Sequence, residues 1–237
     1  MFTKSILFMT AFWYGMFVSM GSAKTLSDDR IKIAIVDTGT DVTEQIKPYL
    51  CKGGHISLVD DKPLVDTHVS KHGTNIAGLV TQNLDPKKYC VLIIKFYNPD
   101  AQDLTNLANV IFGVKYATQM KARYLNLSLF GKLPSNTEEH ALRQALASGV
   151  KIAVSAGNDG INLDVKCESF PPCYHLDAKN FHVVGFTYSD GTRSATSNYG
   201  SVVQFYENGV NQGIPPNTGS SQATAIHLNK WIKQENE

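Results

Sequence analysis

A carboxylate, an imidazole and a hydroxyl each occur in this chain beside glycine or other small residues. Asp37 lies in Ile35-Val36-Asp37-Thr38-Gly39, His72 in His72-Gly73-Thr74, and Ser221 in Gly219-Ser220-Ser221-Gln222-Ala223. Serine alone is a weak nucleophile at neutral pH. It reacts when an imidazole takes its proton, and the imidazole does so when a carboxylate fixes its tautomer and stabilises the cation that forms. The three residue types together point to acyl transfer through a serine. Taken singly, each segment is a common motif: a strand-end turn at Asp37, a surface histidine at His72, a serine-rich helix cap at Ser221.

The elements that must position these groups follow from hydrophobic patterning. Residues 31–36 form a run rich in β-branched residues, as in a buried parallel strand, and further strands are predicted over 91–96, 123–129, 151–155 and 181–188. Helices are predicted over 73–80, over 103–119 from apolar residues at helical spacing, from Thr137 to the Gly149 stop, and over 222–233. Strands alternating with helices predict an α/β fold, a mostly parallel sheet sandwiched by helices. In such sheets the ligand crevice lies at the carboxyl ends of the strands. Asp37 follows the first strand directly and Asn158 follows the strand ending near Ser155, so both are placed at that end.

The order Asp, His, Ser, with Asn75-Ile76-Ala77-Gly78 extending the histidine segment and Ala156-Gly157-Asn158-Asp159-Gly160 between them, resembles the subtilisin-like serine peptidases, the subtilases. The resemblance runs from about Ile31 to about Trp231. It implies a three-layer subtilisin-like fold and a serine endopeptidase with Ser221 as nucleophile, His72 as general base and Asp37 as orienting carboxylate. It further implies that Asn158 donates its amide, with the backbone N–H of Ser221, to the oxyanion of the tetrahedral intermediate. Ser128, Leu129, Phe130 and Gly131 resemble the segment that pairs with an extended substrate backbone. Ser155, Ala156 and Gly157 resemble the opposite wall of the specificity pocket. Phe130 stands where glycine is usual, Ser220 where threonine is commoner, and Ala225 where the family usually has proline. Relative to the family pattern the catalytic domain reads as shortened at its C-terminus, with only residues 24–30 in the place of a pro-segment. Two other readings use the same residues: a catalytically inactive peptide-binding relative, and an esterase or acyl-transferase.

Composition fits this picture. The chain has 237 residues, 43% of them hydrophobic, with a formal net charge of +1. That balance supplies no basic face for nucleic acid and no acidic block for disorder. Lys4, the uncharged apolar stretch 5–20 and Gly21-Ser22-Ala23 read as a signal peptide over 1–23, followed by a single peptidase domain over 24–237. The alternative is a membrane anchor. A cleaved leader implies a secreted or periplasmic monomer acting on protein or peptide substrates, without stable membrane insertion. Four cysteines follow the leader, and an even count in an exported chain favours disulfides, although three pairings are open. Cys167 and Cys173 bracket a Pro171-Pro172 turn and would close a small loop, leaving Cys51 for Cys90. Free thiols are the alternative. No His/Cys spacing resembles a zinc ligand set, so neither metal nor cofactor is expected, and a structural calcium site is not readable from the residues.

Overall fold

The computed structural model describes residues 28–177 and 179–235; the leader expected over 1–23 lies outside them. The elements run β1 (Ile31–Asp37), β2 (Ile56–Ser57), α1 (His72–Thr81), β3 (Tyr89–Lys95), α2 (Asp103–Gln119), β4 (Tyr124–Leu127), α3 (Asn136–Ala147), β5 (Lys151–Ser155), β6 (Phe181–Thr187), β7 (Phe205–Asn208) and α4 (Ser220–Gln234). The strands form one sheet in the order β2-β3-β1-β4-β5-β6-β7, and every pair is parallel.

Successive side chains of a strand point to opposite faces, and β1 shows what that does here. Ile33 and Ile35 face one layer, where they meet Ile76, Leu79 and Val80 of α1 and Leu228 and Ile232 of α4. Ala34 and Val36 face the other, with Val110 and Val114 of α2 and Leu142 and Ala145 of α3. A strand buried on both sides needs apolar residues along its buried length, hence the run from Ile33 to Val36, with Lys32 where the strand is only part-buried. The result is the expected α/β three-layer sandwich.

The chain leaves β1 toward β3 on one side and returns to β4 on the other. This is the topological switch point of an open α/β sheet, where the connections diverge and leave a crevice. Asp37 is the last residue of the strand at that point. Both expected disulfides are formed, Cys51–Cys90 and Cys167–Cys173. No helix among the described residues is long and apolar enough to cross a membrane.

The elements depart from the sequence expectation chiefly around the cleft and at the sheet edges. β4 stops at Leu127, because Ser128 to Phe130 leave the sheet to line a cleft. The last helix begins at Ser220 rather than Gln222, which places Ser221 inside its first turn. The edge strands β2 and β7 were not anticipated; one has only two residues, and the other is part-exposed and mixes Glu207 and Asn208 with its aromatics.

Candidate active site

Asp37 is buried at the end of β1, and its Oδ1 accepts hydrogen bonds from the backbone N–H of Thr38 and from His72 Nδ1, both at 2.7 Å. Its Oδ2 has no partner among the described residues, so the bonding capacity of the carboxylate is concentrated on His72. A carboxylate accepts only, so Nδ1 of His72 carries the proton and Nε2 of the neutral ring is left as a base. Burial lowers the affinity of the His72 ring for a second proton. The charge and hydrogen bond of Asp37, with a smaller contribution from Asp66, outweigh that and raise its pKa above the ordinary histidine value.

His72 is the first residue of α1, and its placement depends on how that helix end is satisfied. The first N–H groups of a helix have no partner within it. Here the N–H of Gly73 donates to Thr38 Oγ1 at 2.9 Å and that of Thr74 to Asp66 Oδ2 at 2.8 Å. Asp66 is buried and accepts further bonds from Thr38 Oγ1, Thr74 Oγ1 and the N–H of His68. The Thr74 hydroxyl ties Asp66 to the N–H of Asp41. Lys71, at the N-cap, adopts φ +51°, held by an ion pair with Asp41 at 2.9 Å and a bond from Nζ to the carbonyl of Asp66. Gly73 is required by close approach, since a β-carbon there would collide with the carbonyl of Gly39. Helix and strand therefore meet without a side chain between them, and His72 comes onto Asp37.

Ser221 lies in the first turn of α4, where helix N–H groups face the cleft. Its Oγ donates to the carbonyl of Ser128 at 2.9 Å. Its neighbour Ser220 is fully buried and its hydroxyl is consumed by Ser155 Oγ and Asn158 Oδ1, each at 2.8 Å, and by the N–H of Gly157 at 3.3 Å. Asn158 Oδ1 also accepts from the N–H of Ser220 at 2.8 Å. With its oxygen so fixed, the exposed Asn158 has its Nδ2 donor left to offer. At the N-cap, Gly219 has φ +153°, and a β-carbon there would lie 3.2 Å from that amide.

Asp37, His72 and Ser221 line one cleft of about 450 Å³ together with Ser128, Leu129, Phe130 and Gly131. Phe130 faces this cleft with Lys132 Nζ 5.6 Å from its ring centre. Gly131 is committed elsewhere, because its N–H and carbonyl pair with Phe170 at 2.9 and 3.0 Å. That leaves Ser128 to Phe130 as the part of the segment with backbone to offer. Ser155, Ala156 and Gly157 are buried behind the cleft rather than lining it, with Ser155 holding Ser220 and the carbonyl of Ala156 accepting from Ser169 Oγ and Asn198 Nδ2.

Sequence reasoning missed Asp66, Glu138 and Phe170. Asp66 sits in an irregular polar stretch with no motif around it. Glu138 reads as an ordinary acidic residue in a first helical turn, yet it is 2% exposed and lines the cleft. Phe170, which precedes Pro171-Pro172, carried a faint signal, since an aromatic residue before prolines marks a rigid turn.

The chain was compared with known proteins. The profile of the Subtilase family matches residues 28–231. Subtilisin-like protease 9 of Arthroderma gypseum is 32% identical over 205 residues, covering 81% of this chain and 47% of that protein. M-protease of Shouchella clausii is 26% identical over 230 residues, covering 89% of this chain and 56% of its own length. The chain spans about half the length of the curated relatives it matches. Among solved structures, a cold adapted subtilisin-like serine proteinase superposes with a TM-score of 0.67 at 25% identity, covering 87% of this chain and 76% of that one. A lanthipeptide protease at 18% identity shares the fold, with a TM-score of 0.70 over 87% of this chain and 76% of its own.

Proposed function

This chain belongs to the subtilase family, and from that premise we propose that it is an exported serine endopeptidase working through an acyl-enzyme on Ser221. The observation that carries the reading is the convergence of Ser221, His72 and Asp37 in one cleft, with His72 Nδ1 held on the buried carboxylate at 2.7 Å.

The chemistry follows from the atoms left free. A substrate amide N–H that takes over the carbonyl of Ser128 releases the Ser221 hydroxyl, which then turns toward His72 Nε2. The hydroxyl proton passes to Nε2 as Oγ attacks the scissile carbonyl carbon. Asp37 stabilises the imidazolium, and Asn158 Nδ2 and the N–H of Ser221 donate to the negative oxygen. His72 then gives its proton to the leaving amine, the C–N bond breaks, and the ester on Ser221 is hydrolysed by water with His72 again as base. Export is supported by the leader-like N-terminus and by the two disulfides, which persist in oxidising compartments.

Hydrolysis of an internally quenched peptide library tests the activity. Wild-type protein is expected to cut peptides and Ser221→Ala to be inert. Cleavage of simple esters without peptides would favour the acyl-transferase reading. Peptide binding without turnover of either class would favour the binding module.

A further inference from the structure

Most partly or fully buried carboxylates here have a cation. Asp28 pairs with Arg30 at 2.7 Å, Asp60 with Lys95 at 2.5 Å, Glu207 with Lys230 at 2.6 Å, and Glu235 with Lys151. Asp66 has none but accepts four hydrogen bonds, from Thr38, His68 and Thr74. Glu138 differs. It is buried in the first turn of α3, and its Oε2 accepts one bond, from the neutral hydroxyl of Tyr174 at 2.6 Å. No described residue forms an ion pair with it or donates to its Oε1. A buried carboxylate with one neutral partner is costly as an anion, and burial pushes its pKa up to about 7 despite the bond from Tyr174.

Glu138 is also part of the cleft wall. The same wall carries apolar side chains: Leu107 and Val110 from α2, Leu129 and Leu133 from the segment after β4. Asp103, another cleft carboxylate, is likewise without an ion-pair partner among the described residues. Lys132, the lysine at this cleft, is tied to Asp159 at 2.5 Å. A cleft wall of apolar side chains that includes an unpaired carboxylate matches a side chain with a long aliphatic stem and a cationic head. We propose that Glu138 is a specificity-determining residue that selects a lysine or arginine side chain in the part of the peptide substrate lying along Ser128–Phe130. This rests on the peptidase reading for the presence of a peptide in the cleft.

Tyr174 bonds Glu138 directly, and the other titratable groups of the cavity wall are Asp37, His68, His72, Tyr97, Asp103 and Lys132. A cationic side chain supplies the counter-charge Glu138 lacks, so the preference strengthens as the carboxyl ionises between about pH 6 and pH 8.

The test uses the full-length chain carrying Ser221→Ala and matched fluorescent peptides with lysine or norleucine at each position in turn, read by anisotropy. The expected result is tighter binding of the lysine peptide at one position by about 10- to 100-fold at pH 8. Adding the isosteric Glu138→Gln should abolish the preference while leaving norleucine peptides bound as before. A lysine preference that survives Glu138→Gln, equal binding at every position, or no binding at all overturns the proposal. Should Glu138→Gln fail to fold, Tyr174→Phe decides. It keeps the carboxylate but removes the bond that favours its ionised form, so the onset of lysine preference should move to higher pH. An unmoved onset overturns the proposal. Because the readout is binding, a chain that selects lysine yet never hydrolyses a peptide would count against the peptidase reading and leave the role of Glu138 intact.

Discussion

Ser221 and Ser128 are bonded reciprocally: Ser221 Oγ donates to the carbonyl of Ser128, and Ser128 Oγ donates to the carbonyl of Ser221, both at 2.9 Å. The first contact parks the nucleophile on the segment assigned to substrate. The second ties that segment to the first turn of α4, with Asn126 Nδ2 supporting Ser128 Oγ at 2.8 Å. Ser128→Ala removes the second contact and leaves the first. It also takes the acceptor from the buried Asn126 amide, so it should cost about 1–3 kcal/mol of stability and lower kcat less than 10-fold. Chemical denaturation and steady-state kinetics check both; unchanged values for the two would contradict the assigned coupling.

Ser220 and Asn158 should separate cleanly in their effects. Asn158→Ala removes an oxyanion donor and should lower kcat by about 100- to 1,000-fold, a magnitude measured in subtilisin, with KM little changed. Ser220→Ala keeps the N–H bond to Asn158 Oδ1 and loses only the hydroxyl contacts. It should keep most of the activity and lose about 1–3 kcal/mol of stability, since Ser155 Oγ is left buried without that partner. A Ser220→Ala protein as inactive as Ser221→Ala would refute the register of the nucleophile.

Activity should rise with pH as His72 loses its second proton. Its pKa is raised in the folded protein, so the midpoint of kcat/KM should lie above the ordinary value of about 6.5. Asp37→Asn removes the charge responsible and should shift the midpoint down while lowering the rate by about 10,000-fold. A midpoint below 6.5 in wild type, with chemistry rate-limiting, would be inconsistent with the Asp37–His72 pair.

Acid should loosen the helix that carries Ser221. His182 on β6 lies between Trp231 and Phe205, with ring centres 3.6 and 4.3 Å away, and its Nδ1 bonds His227 Nε2 at 2.9 Å. Burial first, and the proximity of His227 second, lower the His182 pKa to about 4. Between about 6.5 and 4 the unfolded chain binds a proton that the folded chain refuses. The stability is therefore present above pH 6.5 and drains away as pH falls toward 4. His182→Phe keeps the stacking but removes the partner of His227 Nε2, leaving Nδ1 beside Glu207, so it should melt lower at pH 7.5 and show a shallower fall into acid. Melting temperatures from pH 4 to 8 measure this, and parallel acid limbs for the two proteins would exclude His182 as the cause.

The strands and helices were legible because burial on both sheet faces leaves a plain mark: apolar runs over Ile33 to Val36 of β1 and Val91 to Ile94 of β3, helical spacing for α2. The triad candidates were legible from type and order, and the placement of Asp37 and Asn158 at strand ends followed from the alternation of strands and helices. The supporting contacts were not. Asp66 holds the start of α1 through Thr38 and Thr74, but a carboxylate reaching back across an irregular loop has no period to betray it. The burial of Ser155, Ala156 and Gly157 was not readable either, because it depends on how that small-residue stretch packs on Ser220 and Ser169. Phe130 lines the cleft, and its aromatic ring where glycine is usual was readable in the sequence, whereas the commitment of Gly131 to Phe170 required the two loops to be seen together.

Covalent capture of the nucleophile tests the central claim most directly. A fluorophosphonate reacts with a serine whose hydroxyl proton has a base to go to, and peptide mass spectrometry then locates the adduct. The account predicts a single stoichiometric adduct on Ser221 in the wild-type chain, no labelling of Ser221→Ala, and strongly slowed labelling of His72→Ala. Absence of labelling in a folded wild-type protein, or an adduct that persists in Ser221→Ala, would contradict it.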